Sequence, residues 1–129
     1  MDMSAQIPLP VIDTAFDQAQ MSGVPSDLTA AGILGHKHGI RLLRQRIGGQ
    51  FVVNRGHFIT LDQQSEVVDE LTHEIERHEA PSPEPTPAVV RRSDEYWHGF
   101  GTGVQRYADA LAALAMPDEA PSLRQRRPV

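Results

Sequence analysis

Residues 35–60 read GHKHGIRLLRQRIGGQFVVNRGHFIT, and this stretch decides the predicted fold. It holds four Arg and one Lys but no acid, although the chain of 129 residues carries a formal net charge of -5. The following segment, Asp62–Glu95, is the reverse, with ten acids against three Arg. Mixed charge is enough for solubility, so this separation indicates a specific use. The basic residues are expected either to contact an anion, above all DNA, or to pair with the acidic helix that follows them.

The spacing of apolar residues and glycines within this region predicts two short helices and a hairpin. A helix over 26–34 is followed, after a glycine, by a second helix over 36–47 that carries apolar residues on one face and basic residues on another. Two runs of β-branched and aromatic residues flank Asn54-Arg55-Gly56, where the chain can turn tightly. They predict a hairpin of roughly 50–53 with 57–61.

Helix, tight turn, basic helix and hairpin follow one another in the order of a winged helix-turn-helix. In that fold the second helix enters the major groove and the wing lies along the DNA backbone. Arg commonly pairs with guanine and Gln with adenine in such sites. The predicted nucleic-acid-binding residues are Lys37, Arg41, Arg44, Gln45, Arg46 and Arg55.

Beyond the hairpin the sequence predicts a long acidic helix, a linker and a last amphipathic helix. Thr60 and Gln63 form a capping box for the helix over about 62–79. The Pro-rich run 80–90 favours extended geometry, and Ser93 caps the last helix. The apolar stripe of that helix must be buried on its own domain, on a second copy or on a different protein. The predicted partner-binding residues are Trp97, Phe100, Val104, Tyr107 and Leu111.

These elements predict an α+β fold, mainly helical, with a helix-turn-helix, a wing-like β-hairpin, a long helix, a Pro-rich linker and a C-terminal amphipathic helix. The predicted divisions are an N-terminal extension (1–25), a small helical and β-hairpin domain (26–79), the linker (80–92), the C-terminal helix (93–116) and a tail (117–129).

No residue pattern predicts catalysis, so we expect a non-enzymatic protein with no catalytic residue, no metal and no cofactor. The chain has no Cys, which removes thiolate nucleophiles and Cys-ligated zinc. His36 and His38 are two residues apart, off a common helix face, and are interpreted as surface residues. No apolar run approaches the roughly 18 residues that span a bilayer, so we expect no membrane contact and a cytoplasmic location.

Residues 30–53, AAGILGHKHGIRLLRQRIGGQFVV, resemble a repeated element of the Mor family of phage middle-operon transcription activators. That element is a helix ending in Leu-Gly or Ile-Gly, an amphipathic helix with a Leu, a Gly-Gly pair and a short apolar strand. The matching positions are Leu34-Gly35, Leu43, Gly48-Gly49 and Phe51-Val52-Val53. The family strand runs into a Tyr-Ile-Pro-like ending, whereas this one turns after Val53, and no separate helix-turn-helix is evident after residue 80.

This resemblance implies that the element belongs to a dimerising half, so that the basic face would support dimerisation or backbone contact. A looser likeness to excisionase-type winged helices implies direct base readout instead. Both resemblances imply DNA regulation by a phage or mobile element, in the cytoplasm of a bacterial host.

Two functional hypotheses follow. The first is a small dimeric regulator that contacts double-stranded DNA through the basic helix and the hairpin. The alternative is an assembly or adaptor protein, including a virion-associated one, that docks on a protein partner through its C-terminal helix.

Overall fold

The computed structural model describes residues 6–21, 28–53, 55–56 and 58–115. Helices account for 77% of these residues and the sheet has two short strands, which confirms the α+β, mainly helical class. The predicted tail 117–129 lies outside the described residues, as do Asn54 and His57 of the predicted hairpin. In chain order the elements are β1 (Gln6–Pro8), α1 (Leu9–Met21), α2 (Ala30–Val53), β2 (Phe58–Thr60), α3 (Leu61–Glu76), α4 (Ala88–Arg91) and α5 (Asp94–Ala115).

The predicted helix-turn-helix is wrong, because residues 30–53 form the single helix α2. Gly35 does not end a helix; it faces α5, where an added Cβ would overlap the carbonyl oxygen of Tyr96. Gly39 meets the carbonyl of Phe100 in the same way. The glycines therefore allow two helix backbones to touch, and the helix continues through them because that contact stabilises it.

The same contact is made from the side of α5. An added Cβ at Gly99 would overlap the carbonyl oxygen of Gly32, and one at Gly103 would overlap that of His36. Small residues on both helices thus let α2 and α5 approach more closely than side-chain packing would permit. This glycine contact forms the centre of the fold.

The predicted hairpin is also wrong, because residues 50–53 are the last turn of α2. Arg55 (φ 64°) and Gly56 (φ 81°) adopt left-handed conformations, and the Gly56 N–H donates to the Phe51 carbonyl at 2.5 Å. The Arg55 N–H donates to the Val52 carbonyl at 3.1 Å, which completes a Schellman motif. The residues that suggested a hairpin turn therefore end a helix.

Strand β2 pairs with the N-terminal strand β1, far from it in sequence. The two run antiparallel, with Ile7 opposite Ile59, and both side chains are fully buried. The predicted N-terminal extension thus contributes a strand, followed by α1, to the same core.

Helix α3 confirms the predicted acidic helix within a few residues of its bounds. The Gln63 N–H donates to Thr60 Oγ1 at 3.1 Å and the Gln63 side chain accepts from the Thr60 N–H at 2.9 Å, so the capping box is present. Its apolar stripe, Val67, Leu71 and Ile75, faces the core.

Helix α5 confirms the predicted C-terminal helix, with Ser93 Oγ accepting from the Tyr96 N–H at 3.2 Å. It packs mainly against α2 and also against α1, where the Tyr107 hydroxyl donates to the Ile12 carbonyl at 3.1 Å. Of the three alternatives for its apolar stripe, packing on the chain's own core is therefore confirmed.

Candidate functional site

The predicted nucleic-acid-binding residues lie on α2 and just beyond its end. Lys37, Gln45 and Arg55 are exposed. Arg41, Arg44 and Arg46 keep 34%, 29% and 31% of their side chains exposed, because each lies against a carboxylate. The basic face is thus present, but its arginines are not free.

Arg46 provides the clearest case of pairing within the chain. Its guanidinium forms two parallel hydrogen bonds with the Glu74 carboxylate, both 2.9 Å long. The hydrogen bond from Arg46 lowers the pKa of Glu74. Since Glu74 belongs to α3, the alternative in which the basic segment pairs with the acidic helix is confirmed for this residue.

The other two arginines pair outside α3. Arg44 donates to Asp13 of α1 at 3.1 Å and Arg41 donates to Glu84 at 2.7 Å. Within the described ranges, Lys37 and Arg55 form no ion pair. Most of the positive charge of the acid-free stretch is therefore balanced by carboxylates from three other parts of the fold.

Glu84 belongs to residues 80–87, which contact α2, α4 and α5, bend at Pro83 and Glu84, and are called the strap below. Its carboxylate accepts from Arg41 and from Nε2 of His38, the latter at 3.1 Å. The hydrogen bonds from His38 and then Arg41 lower the pKa of Glu84, so it is ionised at neutral pH. The predicted extended linker 80–92 is thus bent at Pro83-Glu84, helical over Ala88–Arg91 and fastened to the fold.

Hydrogen-bonding rules fix the direction of the network beneath the strap. An ionised Glu84 only accepts, so His38 Nε2 carries the hydrogen, and in the neutral ring Nδ1 accepts from the Tyr96 hydroxyl at 2.8 Å. Tyr96 oxygen then accepts from Ser82 Oγ at 3.0 Å, and Ser82 accepts from Arg91 at 2.6 Å. Every buried polar group in this chain of contacts is satisfied.

Arg91 holds the first residues of the strap. It also donates to the Ala80 carbonyl at 3.0 Å and lies over the Trp97 ring, 5.0 Å from its centroid. The indole N–H of Trp97 donates to the Arg91 carbonyl at 2.5 Å, and His78 stacks on the same ring at 5.0 Å. Arg91 thus links the strap to the aromatic end of α5.

The surface interpretation of two histidines is wrong. His38 is fully buried beneath the strap, and His36 is buried too, with its backbone carbonyl facing Gly103 of α5. Burial, followed by the charge of Arg106, lowers the pKa of His36, and its Nε2 has no hydrogen-bond partner in the part of the chain that the structure describes. The signal in the sequence was the helical spacing of His38 with the apolar residues of α2, which makes it a core position.

The predicted partner-binding stripe lies inside this chain. Trp97 is almost fully buried, and the other four residues are buried as well: Phe100, Val104, Tyr107 and Leu111. Docking of a partner on these side chains in the folded state is therefore wrong, because α2 and α1 already cover them.

A different apolar pair is exposed. Val52 and Val53, in the last turn of α2, are 78% and 69% exposed. The sequence pattern predicted a strand over these positions, so the two valines were not identified as surface residues. The Asn-Arg-Gly run after them is a helix C-cap signal that could have indicated their position.

Neither a metal-binding cluster nor a membrane-spanning helix is present in the described ranges. In those ranges no group of three His, Asp or Glu side chains is arranged to hold a metal ion. None of the described helices combines the length and apolar character needed to cross a bilayer.

Comparison with protein-family models, curated proteins and solved structures gives no significant match to this chain. The resemblance of residues 30–53 to the Mor family therefore stays a prediction.

Proposed function

We propose that this chain is a non-enzymatic adaptor or assembly protein that docks on a partner protein through the C-terminal end of α2. The observation that carries the proposal is the exposure of Val52 and Val53, side by side on one helix turn. Apolar area left in water gains free energy when a partner buries it.

The surroundings of the two valines suit a docking site. Phe51 anchors the same turn in the core, and the Schellman motif through Gly56 fixes its end. A preorganised surface loses little conformational entropy on binding. Arg55 is exposed beside the valines. Arg, like the aromatic residues, is enriched in protein interfaces.

A photo-crosslinking amino acid tests this surface in the cells that make the protein. One variant carries it at Val53 and the matched control carries it at Thr14, an exposed position on α1. We expect a discrete adduct from position 53 alone, and we expect Val52→Ser to reduce it. Mass spectrometry of the adduct distinguishes a second copy from another protein. Equal capture at both positions would contradict the proposal.

DNA binding remains a second candidate, favoured by one observation. Lys37, Arg41 and Arg44 still form a row on the outer surface of α2, and each paired arginine keeps part of its side chain exposed. Such a row can contact phosphates if the arginines share their donors between the carboxylates and DNA.

Fluorescence anisotropy with random duplex DNA at about 50 and 200 mM salt tests this candidate, since several phosphate contacts lose one to a few decades of affinity over that range. Arg41→Ala with Arg44→Ala removes the row but also breaks two ion pairs. Lys37→Ala with Arg55→Ala is the cleaner comparison, because it breaks no ion pair of the described residues. Failure of the wild type to bind at the lower salt rejects DNA binding.

A further inference from the structure

The strap is attached by hydrogen bonds more than by apolar burial. Of its eight residues only Ala80 is buried, and its prolines remain exposed or half-exposed. It is held by hydrogen bonds of Glu84 with α2, of Ser82 with Tyr96 and Arg91, and of the Ala80 carbonyl with Arg91. A segment with little buried apolar area opens locally at a small fraction of the global unfolding free energy.

Opening would also leave the rest of the fold intact. Opening of the strap exposes a ring nitrogen of His38 and the hydroxyl of Tyr96. Both are polar, so water can replace the hydrogen bonds that they lose. The alternating prolines restrict the backbone of the strap when it is free, so little entropy opposes its return. The strap therefore has the properties of a ligand bound to its own chain.

We propose that the strap is a releasable cover, and that the groove beneath it binds Pro-rich segments with a Ser and a Glu two residues apart. The groove is formed by His38, Arg41, Arg91 and Tyr96. It recognises the Glu through a histidine N–H and a guanidinium, and the Ser through a tyrosine oxygen and a second guanidinium. The strap sequence, APSPEPTP, occupies the groove within the chain, and a partner segment of the same chemistry displaces it.

Displacement has a local reporter. Trp97 is the single tryptophan of the chain, and Arg91 lies over its ring while donating to Ser82 and to the Ala80 carbonyl. Release of the strap removes both of these partners of Arg91. We therefore expect the indole to become accessible to small quenchers when the strap opens. This surface is separate from Val52 and Val53, so the failure of either proposal leaves the other standing.

The first experiment measures acrylamide quenching of Trp97 in the full chain. Glu84→Ala removes the contact with His38 and Arg41, and Glu79→Ala, at an exposed neighbouring position, is the matched control. We expect a several-fold larger quenching constant for Glu84→Ala with unchanged far-ultraviolet helix content. The control should match the wild type. A quenching constant that does not change on Glu84→Ala overturns the releasable cover.

The second experiment adds the capped peptide APSPEPTP to the Glu84→Ala protein. Binding in the vacated groove should restore the low quenching, half-complete at about 1 mM, an affinity that a few charge-assisted hydrogen bonds sustain. The peptide APSPAPTP, which lacks the carboxylate, should not restore it. Equal effects of both peptides, or none from either, overturn the proposed recognition. Should Glu84→Ala lose helix content, Ser82→Ala provides the same readout with a smaller perturbation of the fold.

Discussion

Helix α5 contacts two distant parts of the chain in opposite ways. Its contact with α2 is made by backbone against backbone at glycines, in the centre of the fold. Its contact with the strap is made by a side-chain hydrogen bond between Tyr96 and Ser82, to which Arg91 of α4 adds a second bond on Ser82. Tyr96 takes part in both, with its carbonyl facing Gly35 and its hydroxyl bonded to Ser82 and His38. The first contact tolerates no added atom, whereas the second can be broken and remade.

The largest expected effect tests the backbone contact. Gly35→Ala places a methyl group against the Tyr96 carbonyl, which is backbone and cannot move aside as a flexible side chain would. We therefore expect the free energy of unfolding to fall by about 3 kcal/mol, or the protein not to fold. Gly49→Ala is the matched control, because nothing lies within 4 Å of its added Cβ. That variant should gain about 0.5–1 kcal/mol from helix propensity alone. Urea unfolding of both variants measures the difference, and similar losses in the two would refute the glycine contact.

A smaller effect tests the strap contact. Tyr96→Phe keeps the buried ring but leaves His38 Nδ1 without its donor, so we expect a loss of about 1–3 kcal/mol. Tyr107→Phe removes a comparable hydroxyl bond far from the strap, to the Ile12 carbonyl. Thermal denaturation should show both losses, but only Tyr96→Phe should also increase the quenching of Trp97. The same increase in both variants would show that quenching reports general loosening.

The smallest effect is a dependence of stability on acid pH. Glu74 and Glu84 have lowered pKa values, mainly through hydrogen bonds from Arg46 and from His38. A carboxylate with a lowered folded pKa stabilises the fold fully above its ordinary value of 4.5, and that stability is lost as the pH falls through the folded pKa. Melting temperatures should therefore decline below pH 4.5. Glu74→Gln should lower the free energy of unfolding by about 0.5 kcal/mol at pH 7 and make the decline of the melting temperature at acid pH shallower. A variant whose melting temperature falls with pH as steeply as that of the wild type would contradict the Arg46 pairing.

Local signals predicted the parts of the fold that local interactions determine. The capping box at Thr60 and the cap at Ser93 were recognised because cap and partner lie three residues apart. Gly35 was misassigned as a helix stop because its actual partner, Tyr96, lies 61 residues later. Strand β2 was misassigned for the same reason, because its partner is the distant strand β1 and not the segment that precedes it in sequence.

The candidate sites were predictable to a lesser degree. The charge pattern left two alternatives, contact with DNA and pairing with the acidic helix, and Arg46 with Glu74 confirms the second for that residue. It could not indicate that Glu84 lies against Arg41, because a Pro-rich run carries no periodicity that predicts where it docks. The apolar stripe of α5 was expected to be buried, but the prediction of a partner on it was wrong, because a stripe alone does not show what buries it.

The glycine contact also constrains when the protein can fold during synthesis. Gly32 and Gly99 stand 67 residues apart, so the glycine face of α2 has no partner until α5 has left the ribosome. Closing so long a loop carries an entropic cost before any contact repays it, which slows folding. Most of the chain must therefore emerge before its core can form, and the nascent α2 is a natural binding site for chaperones until then.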